Sequence, residues 1–236
     1  MTKRPLPFVH EIQHLEQPRN IQAVHLGEGS TLIHTTVGKM DNNCWFIVAP
    51  NQNALLIDAA DDAEHLLSVA DSADVRITDV LTTHQHFDHV QALEEVLRIT
   101  GAVHHAGRYD AEALPAHVDE IYGNDEGQLE NLRLSGDFSG MELPTVELRG
   151  HTPGGIAVIA LNPHFFEPPR AFVGDSLFPG GVGKTNNKRD FEQLLSDVST
   201  RILSLPGHTL VHPGHGDSTR VEVEAPKLEQ WRERGW

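Results

Sequence analysis

The chain contains one cysteine, Cys44, among 236 residues. A lone thiol excludes an internal disulfide, and a cytoplasmic, reducing location is the expectation. Cys44 stands between Asn43 and Trp45 in an apolar run, the setting of a small buried hydrophobe rather than a nucleophile. Basic residues are also scarce. Lys and Arg total 18 against 34 Asp and Glu, a formal net charge of −16 with neutral histidines. That deficit argues against nucleic acid as a partner, because phosphate contacts need clustered Lys and Arg. No stretch approaches the ~20 apolar residues of a membrane span. The first residues carry Lys3 and Arg4 but no apolar run of the signal-peptide kind. No linker rich in Pro, Gly and Ser divides the chain and no repeat is evident, so a single domain over 1–236 is expected.

Histidine, by contrast, is abundant, with 16 in the chain. Three of them and a carboxylate fall within six consecutive positions, in Thr83-His84-Gln85-His86-Phe87-Asp88-His89. A ring must be neutral to bind a metal, and a buried ring without one needs a hydrogen-bond partner. The preceding residues 75–83, with Val75, Ile77, Val80 and Leu81, predict a strand. The following residues 88–100, with Val90, Leu93, Val96 and Leu97 on one face, predict a helix. The cluster thus lies at the carboxyl end of a strand, where α/β folds place their chemistry. His84 and His86, two apart in extended backbone, project to one side. Asp88 and His89 then point to a second spot, which gives two candidate metal positions.

Hydrophobic residues make up 39% of the chain, enough for a sizeable core. Candidate strands at 21–26, 31–37, 44–49 and 54–58, separated by tight turns, predict an antiparallel meander. A helix at 61–71 follows, and a short strand at 102–106 comes after the histidine cluster. Residues 107–140 are the least regular part, with a short helix expected near 109–114. This connection is a candidate wall of a substrate cleft. Further strands are predicted at 145–148, 156–161, 171–173 and 209–211, and helices at 190–205 and 225–231. The pattern predicts an α/β fold of two packed sheets with helices outside.

Three later motifs each follow a strand and set a His or Asp beside glycine: Gly150-His151-Thr152-Pro153-Gly154-Gly155, Gly174-Asp175-Ser176 and Gly214-His215-Gly216. Glycine lets the backbone approach a crowded site. With the His84/His86/Asp88/His89 cluster, these residues resemble the metallo-β-lactamase superfamily, in particular its glyoxalase II-like hydrolases, from about Asn42 to Gly216. The resemblance implies a four-layer αβ/βα sandwich with mixed sheets. It implies that His84, His86 and His151 bind a first metal, that Asp88, His89 and His215 bind a second, and that Asp175 bridges them. The implied cofactors are two zinc ions, with iron or manganese as other occupants of such a donor set. The implied reaction is cleavage of a small thioester or ester by a metal-bridging hydroxide, with Asp88 as the catalytic residue that orients it. The implied partner is therefore a small-molecule substrate. Two other superfamily activities keep the same motifs: a mononuclear iron oxygenase of the persulfide dioxygenase type, using His84, His151 and Asp175, and a hydrolase of the lactonase or β-lactamase type.

Gly181-Val182-Gly183-Lys184 also resembles glyoxalase II, in which a lysine at this place contacts a carboxylate of the glutathione moiety. Lys184 is thus a candidate substrate-binding residue. The chain departs from that pattern in three ways. Gly155 stands where the motif usually has His, and the aromatic residue expected soon after Lys184 is missing. The segment after His215 is shorter than the helical C-terminal domain with which full glyoxalase II holds glutathione. These departures direct the substrate expectation away from glutathione thioesters in particular.

Overall fold

A computed structural model describes residues 6–13, 15, 19–124 and 127–235. Seven strands form the first sheet, in the order β1 (Ile21–His25), β2 (Thr31–Val37), β3 (Asn42–Val48), β4 (Asn53–Ile57), β5 (Arg76–Thr82), β6 (Val103–Gly107) and β7 (Glu120–Tyr122). The first four are antiparallel, as the tight turns predict, and β4 to β7 run parallel. Parallel neighbours need crossovers. These are supplied by α1 (Ala63–Ala73) between β4 and β5 and α2 (Leu93–Thr100) between β5 and β6.

The second sheet contains β8 (Glu130–Asn131), β9 (Pro144–Glu147), β10 (Ile156–Ala160), β11 (Arg170–Gly174), β14 (Leu210–Pro213) and β15 (Thr219–Arg220), and its spatial order is β15-β14-β11-β10-β9-β8. A small hairpin, β12 (Leu177–Phe178) and β13 (Gly181–Val182), stands apart. Helix α3 (Lys188–Arg201) makes the crossover from β11 to β14, and the short helices α4 (Val221–Glu224) and α5 (Leu228–Arg234) close the described chain.

Every residue of β3 is buried, so this sheet is covered on both faces. Leu32, Trp45, Ile47 and Leu55 face the second sheet and pack with Ile156, Val158 and Phe172. The alternate residues Ile33, Phe46, Val48 and Leu56 face outward beneath Leu66, Val69, Leu93 and Val96 of α1 and α2. A third cluster packs Phe191, Leu194, Leu195 and Val198 of α3 on Ala157, Ile159 and Val173 of the second sheet. The outcome is the expected helix–sheet–sheet–helix sandwich. Among the described residues no helix is long and apolar enough to cross a membrane.

Several boundaries differ from the sequence pattern. The helix predicted from Asp88 begins at Leu93; Phe87–His89 form a single 3-10 turn, after which Val90 leaves helical geometry. Apolar spacing does not register that break, which lets Asp88 and His89 turn back toward the strand ends. The short helix expected near 109–114 is one 3-10 turn, Ala111–Ala113. The connection 107–140 also adds an edge strand to each sheet, β7 and β8. Its later part lies toward the amino ends of β4 and β5, where Asn53 Nδ2 donates to the Asp137 carbonyl at 2.9 Å.

Candidate metal centre

The four segments bearing His and Asp motifs follow β5, β9, β11 and β14 and converge beyond the carboxyl ends of these strands. Nitrogen and oxygen atoms of His84, His86 and His151 lie within 4.8 Å of one another, and so do those of Asp88, His89 and His215. Asp175 forms a third such group with His84 and His89, one ring from each of the other two. All seven residues are thereby brought together. Nε2 of His215 is 3.1 Å from Asp88 Oδ2 and 3.5 Å from Asp175 Oδ2. Nε2 of His89 is 3.4 Å from Asp175 Oδ1, and Nε2 of His151 is 3.6 Å from Asp175 Oδ2. Ligands 2.0–2.1 Å from a tetrahedral zinc stand about 3.3 Å apart, so this donor set fits cations of that size.

Hydrogen bonds on the outer side of the rings select the tautomers. His151 Nδ1–H donates to the Lys184 carbonyl at 2.6 Å, and His215 Nδ1–H to the Met40 carbonyl at 2.9 Å. His89 Nδ1–H donates to Asp58 at 2.8 Å. Thr83 Oγ1 gives its proton to Asp58 at 2.8 Å, so it accepts from His84 Nδ1–H at 3.0 Å. Four rings are thus held by Nδ1 and present Nε2 to the interior, the usual outer-shell arrangement for metal-binding imidazoles. His84 Nε2, His151 Nε2 and Asp175 Oδ1 are buried with no hydrogen-bond partner among the described residues. Orphaned buried polar atoms are costly unless a ligand completes them.

Charge follows the same geometry. Burial pushes His84 well below the ordinary imidazole value, and the neighbouring rings add to the effect. Burial also lowers His151. His89 moves the opposite way: burial opposes its charge, but the Asp58 and Asp175 carboxylates outweigh burial and raise the metal-free ring to about 10. Burial disfavours ionised Asp88 and Asp175. The Asn42 bond to Asp88, the His89 ring beside Asp175 and the other nearby rings more than offset it and hold both carboxyls below their usual value.

The sequence reading missed the residues that hold these groups in place. Asp58 directly follows β4, its backbone at φ +59°, and accepts from Thr83 N and Oγ1 as well as His89. Asn42 Nδ2 donates to Asp88 Oδ2 at 2.8 Å. Asn43 Nδ2 donates to the carbonyls of Pro213 and Gly216 on either side of His215. Asp110 accepts from Gln85 N at 3.0 Å and Gly154 N at 2.6 Å, joining two histidine loops. Asp197 of α3 accepts from the Arg149 amide and guanidinium, both at 3.0 Å, and anchors the His151 loop from behind. Asp58 alone had a readable signal, an acidic residue at the carboxyl end of a strand that pairs in parallel with the histidine strand.

Gly214 and Gly155 are among the glycines that leave no room for a side chain. A Cβ on Gly214 would lie 2.3 Å from Asp175 Oδ1 and 2.6 Å from the His89 ring. One on Gly155, where the family motif usually carries His, would lie 2.9 Å from the Leu148 carbonyl. Lys184 presents its side chain to solvent and contributes its carbonyl to His151. Phe87, between two candidate ligands, is 75% exposed. Buried Cys44 has its thiol pushed up by desolvation, as suits a core residue.

A sandwich with a histidine- and aspartate-lined centre at one sheet edge defines a class of metalloprotein, and the chain's relatives place it there. Residues 37–215 match the family model of the metallo-beta-lactamase superfamily. The chain belongs to that superfamily and is an enzyme of its hydrolase class. It is 31% identical over 206 residues to hydroxyacylglutathione hydrolase GloC of Haemophilus influenzae, covering 80% of this chain and 92% of that protein. The solved structure of the B3 metallo-beta-lactamase BLEG-1 matches with a TM-score of 0.72 at 21% identity, over 83% of this chain and 96% of that one. At that identity the likeness concerns the fold. TTHA1623, solved in a di-iron-bound form, matches with a TM-score of 0.64 at 26% identity, over 81% of this chain and 96% of that one.

Proposed function

We propose that this protein is a dinuclear zinc hydrolase of small acyl thioesters or esters. His84, His86 and His151 would hold one cation, Asp88, His89 and His215 the other, and Asp175 would reach both. The observation that carries this reading is the set of inward nitrogens, with Nε2 of His84 and His151 and Oδ1 of Asp175 buried and unpartnered among the described residues. The name of the Haemophilus relative, a hydroxyacylglutathione hydrolase, supports thioester cleavage. Two bound cations would supply Lewis acidity and lower the pKa of water from ~15.7 toward 7.

The chain's own residues supply orientation. Asp88 is held by Asn42, stays ionised, and can accept a proton from water delivered beside it. Asp58, directly and through Thr83, keeps one ring of each set in the Nδ1–H tautomer. Phe87 offers apolar surface to an acyl group at the rim, and the exposed Lys184 ammonium a charge partner for a substrate carboxylate. The di-iron form of TTHA1623 supports iron as the second candidate metal.

Metal content per chain and turnover on a panel of thioesters, lactones and β-lactams test the reading. Two equivalents of metal are expected, with thioester hydrolysis that His84→Ala abolishes. Full activity with a single metal, or no hydrolysis of any panel member, would refute it. Oxygen uptake with a persulfide would transfer the protein to the oxygenase reading.

A further inference from the structure

The loop that carries His215 is anchored differently from the His84–His89 and His151 loops. Those two are held by carboxylates, Asp58, Asp110 and Asp197, and a carboxylate accepts at either oxygen. The neighbours of His215, Gly214 and Gly216, bring no side chains to pack. An amide holds this loop instead. The Asn43 backbone N–H donates to the Gly214 carbonyl at 2.7 Å. Its Nδ2 donates to the carbonyls of Pro213 at 2.9 Å and Gly216 at 3.0 Å. Unlike a carboxylate, an amide has a direction: turned by half a rotation, Asn43 would set Oδ1 against two carbonyl oxygens.

A series of bonds in the layer between the sheets fixes that direction. Asn43 has spent both Nδ2 protons, so Oδ1 accepts, and the donor is His34 Nε2–H at 2.8 Å. His34 Nδ1 in turn accepts from Gln22 Nε2–H at 3.1 Å. Gln22 also donates from Nε2 to the Gln13 carbonyl and accepts at Oε1 from the Gln13 amide at 3.1 Å. The series begins and ends on backbone groups, whose donor and acceptor roles are fixed. Both ends dictate the same assignment, with the His34 proton on Nε2. Gln22, His34 and Asn43 are buried on the adjacent strands β1, β2 and β3. The His34 ring stacks on Trp45 with centroids 4.0 Å apart, which sets its plane.

We propose that His34 is a positioning residue for His215. Through Asn43 it fixes the loop that carries the ring, and so sets the affinity of the second metal position. Without the His34 proton, Asn43 Oδ1 is a buried acceptor left unmet, and nothing in the series keeps Nδ2 turned toward the loop. The effect on metal affinity rests on the dinuclear reading; the effect on the His215 ring rests on hydrogen bonding alone.

Nitrogen-15 NMR of the histidine rings in the full chain, with and without zinc, tests this. In the parent, His34 should carry its proton on Nε2 in both states. Without zinc, at about pH 8, above the ordinary imidazole value, His215 should carry its proton on Nδ1, toward the Met40 carbonyl. His34→Phe keeps a ring against Trp45 but offers no donor, and should shift His215 toward a mixture of tautomers. His34→Gln retains a donor and should restore the parent signal. Val24→Ala removes packing from the same face of β1 as Gln22; it should lower stability and leave His215 unchanged. Zinc competition against a chelator should show one of two equivalents weakened about tenfold in His34→Phe, the low end for an outer-shell partner, and the other unchanged. A His34 proton on Nδ1 in the parent overturns the proposal whatever the folding of the variants. So does an unchanged His215 signal in His34→Phe, or an equal change in Val24→Ala. Uptake of a single cation by the parent refutes the dinuclear reading alone, and the ring spectra still decide the role of His34.

Discussion

The carboxylate of Asp58 joins the two candidate metal sets: it accepts directly from His89 Nδ1–H at 2.8 Å and, through the Thr83 hydroxyl, holds His84. Both Asp58 and His89 are shut away from solvent. Asp58→Asn keeps the size but loses the charge and turns one acceptor into a donor, which cannot face both Thr83 and His89. Loss of such an outer-shell partner typically lowers metal affinity about 10–100-fold. Competition with a chromophoric chelator should show at least one of two metal equivalents weakened to that degree. Unchanged affinity for both would mean that Asp58 does not orient the ligands.

Asp110 ties the two loops of the first set together, with Gln85 N on one carboxylate oxygen and Gly154 N on the other. Burial pushes this carboxyl up from its ordinary value, against the bonds it accepts. Asp110→Ala strands two amides beneath the His84/His86 and His151 loops, at a cost on the order of 3 kcal/mol. Asp110→Asn retains one acceptor and should lose about half as much. Urea unfolding of the metal-loaded protein measures both. Equal stability of the two variants would show that the paired backbone bonds are not what Asp110 contributes.

The metal-free chain should lose stability at both ends of the pH range. His89 is raised to about 10, above its unfolded value near 6.5. Its contribution is therefore fully present below about pH 6.5 and is lost as pH rises through about 10. His84 and His151 are lowered by burial, so the unfolded chain binds more protons there and stability falls as pH drops below about 6.5. Metal binding requires a neutral His89 ring and releases its proton. Thermal unfolding followed from about pH 5 to 10 should show an alkaline decline in the stripped protein that metal loading removes. The same alkaline slope with and without metal would contradict the His89 assignment.

The seven candidate ligands were legible in the sequence because each motif is local and follows an apolar strand: the cluster from His84 to His89, then three times a His or Asp beside glycine. The two-sheet sandwich was legible because strands with apolar residues on both faces alternate with amphipathic helices. The supporting carboxylates were not, with Asp58 the partial exception already noted. Asp110 acquires its role from Gly154, 44 residues on, and Asp197 from Arg149, 48 residues back. No spacing rule connects such partners before the sheets assemble. The start of α2 failed for a related reason. Val90 and Leu93 keep helical spacing, yet the 3-10 turn at Phe87–His89 is held by the groups it must face.

A second buried network should govern stability without touching catalysis. His105 Nε2–H donates to Asp79 at 3.0 Å, and neither side chain is exposed. The Tyr122 hydroxyl accepts from Arg133 N at 2.8 Å and gives its own proton to His105 Nδ1 at 3.1 Å. Asp79 also accepts from Ser135 N at 2.7 Å and Thr78 Oγ1 at 2.7 Å. Burial disfavours its charge, but the bonds from His105, Ser135 and Thr78 outweigh burial and hold it below the ordinary carboxylate value. The network clamps the segment around Ser135 onto β5, β6 and β7 and makes no contact with the seven candidate ligands. His105→Ala leaves the Asp79 charge short of a donor and the Tyr122 hydroxyl short of an acceptor. Breaking a buried pair in this way costs about 3–5 kcal/mol. Urea unfolding should record that loss, while kcat of the remaining folded, metal-loaded enzyme stays within about twofold of the parent, as for changes remote from reacting groups. A folded His105→Ala protein with normal stability and a large drop in kcat would instead place His105 in the catalytic machinery.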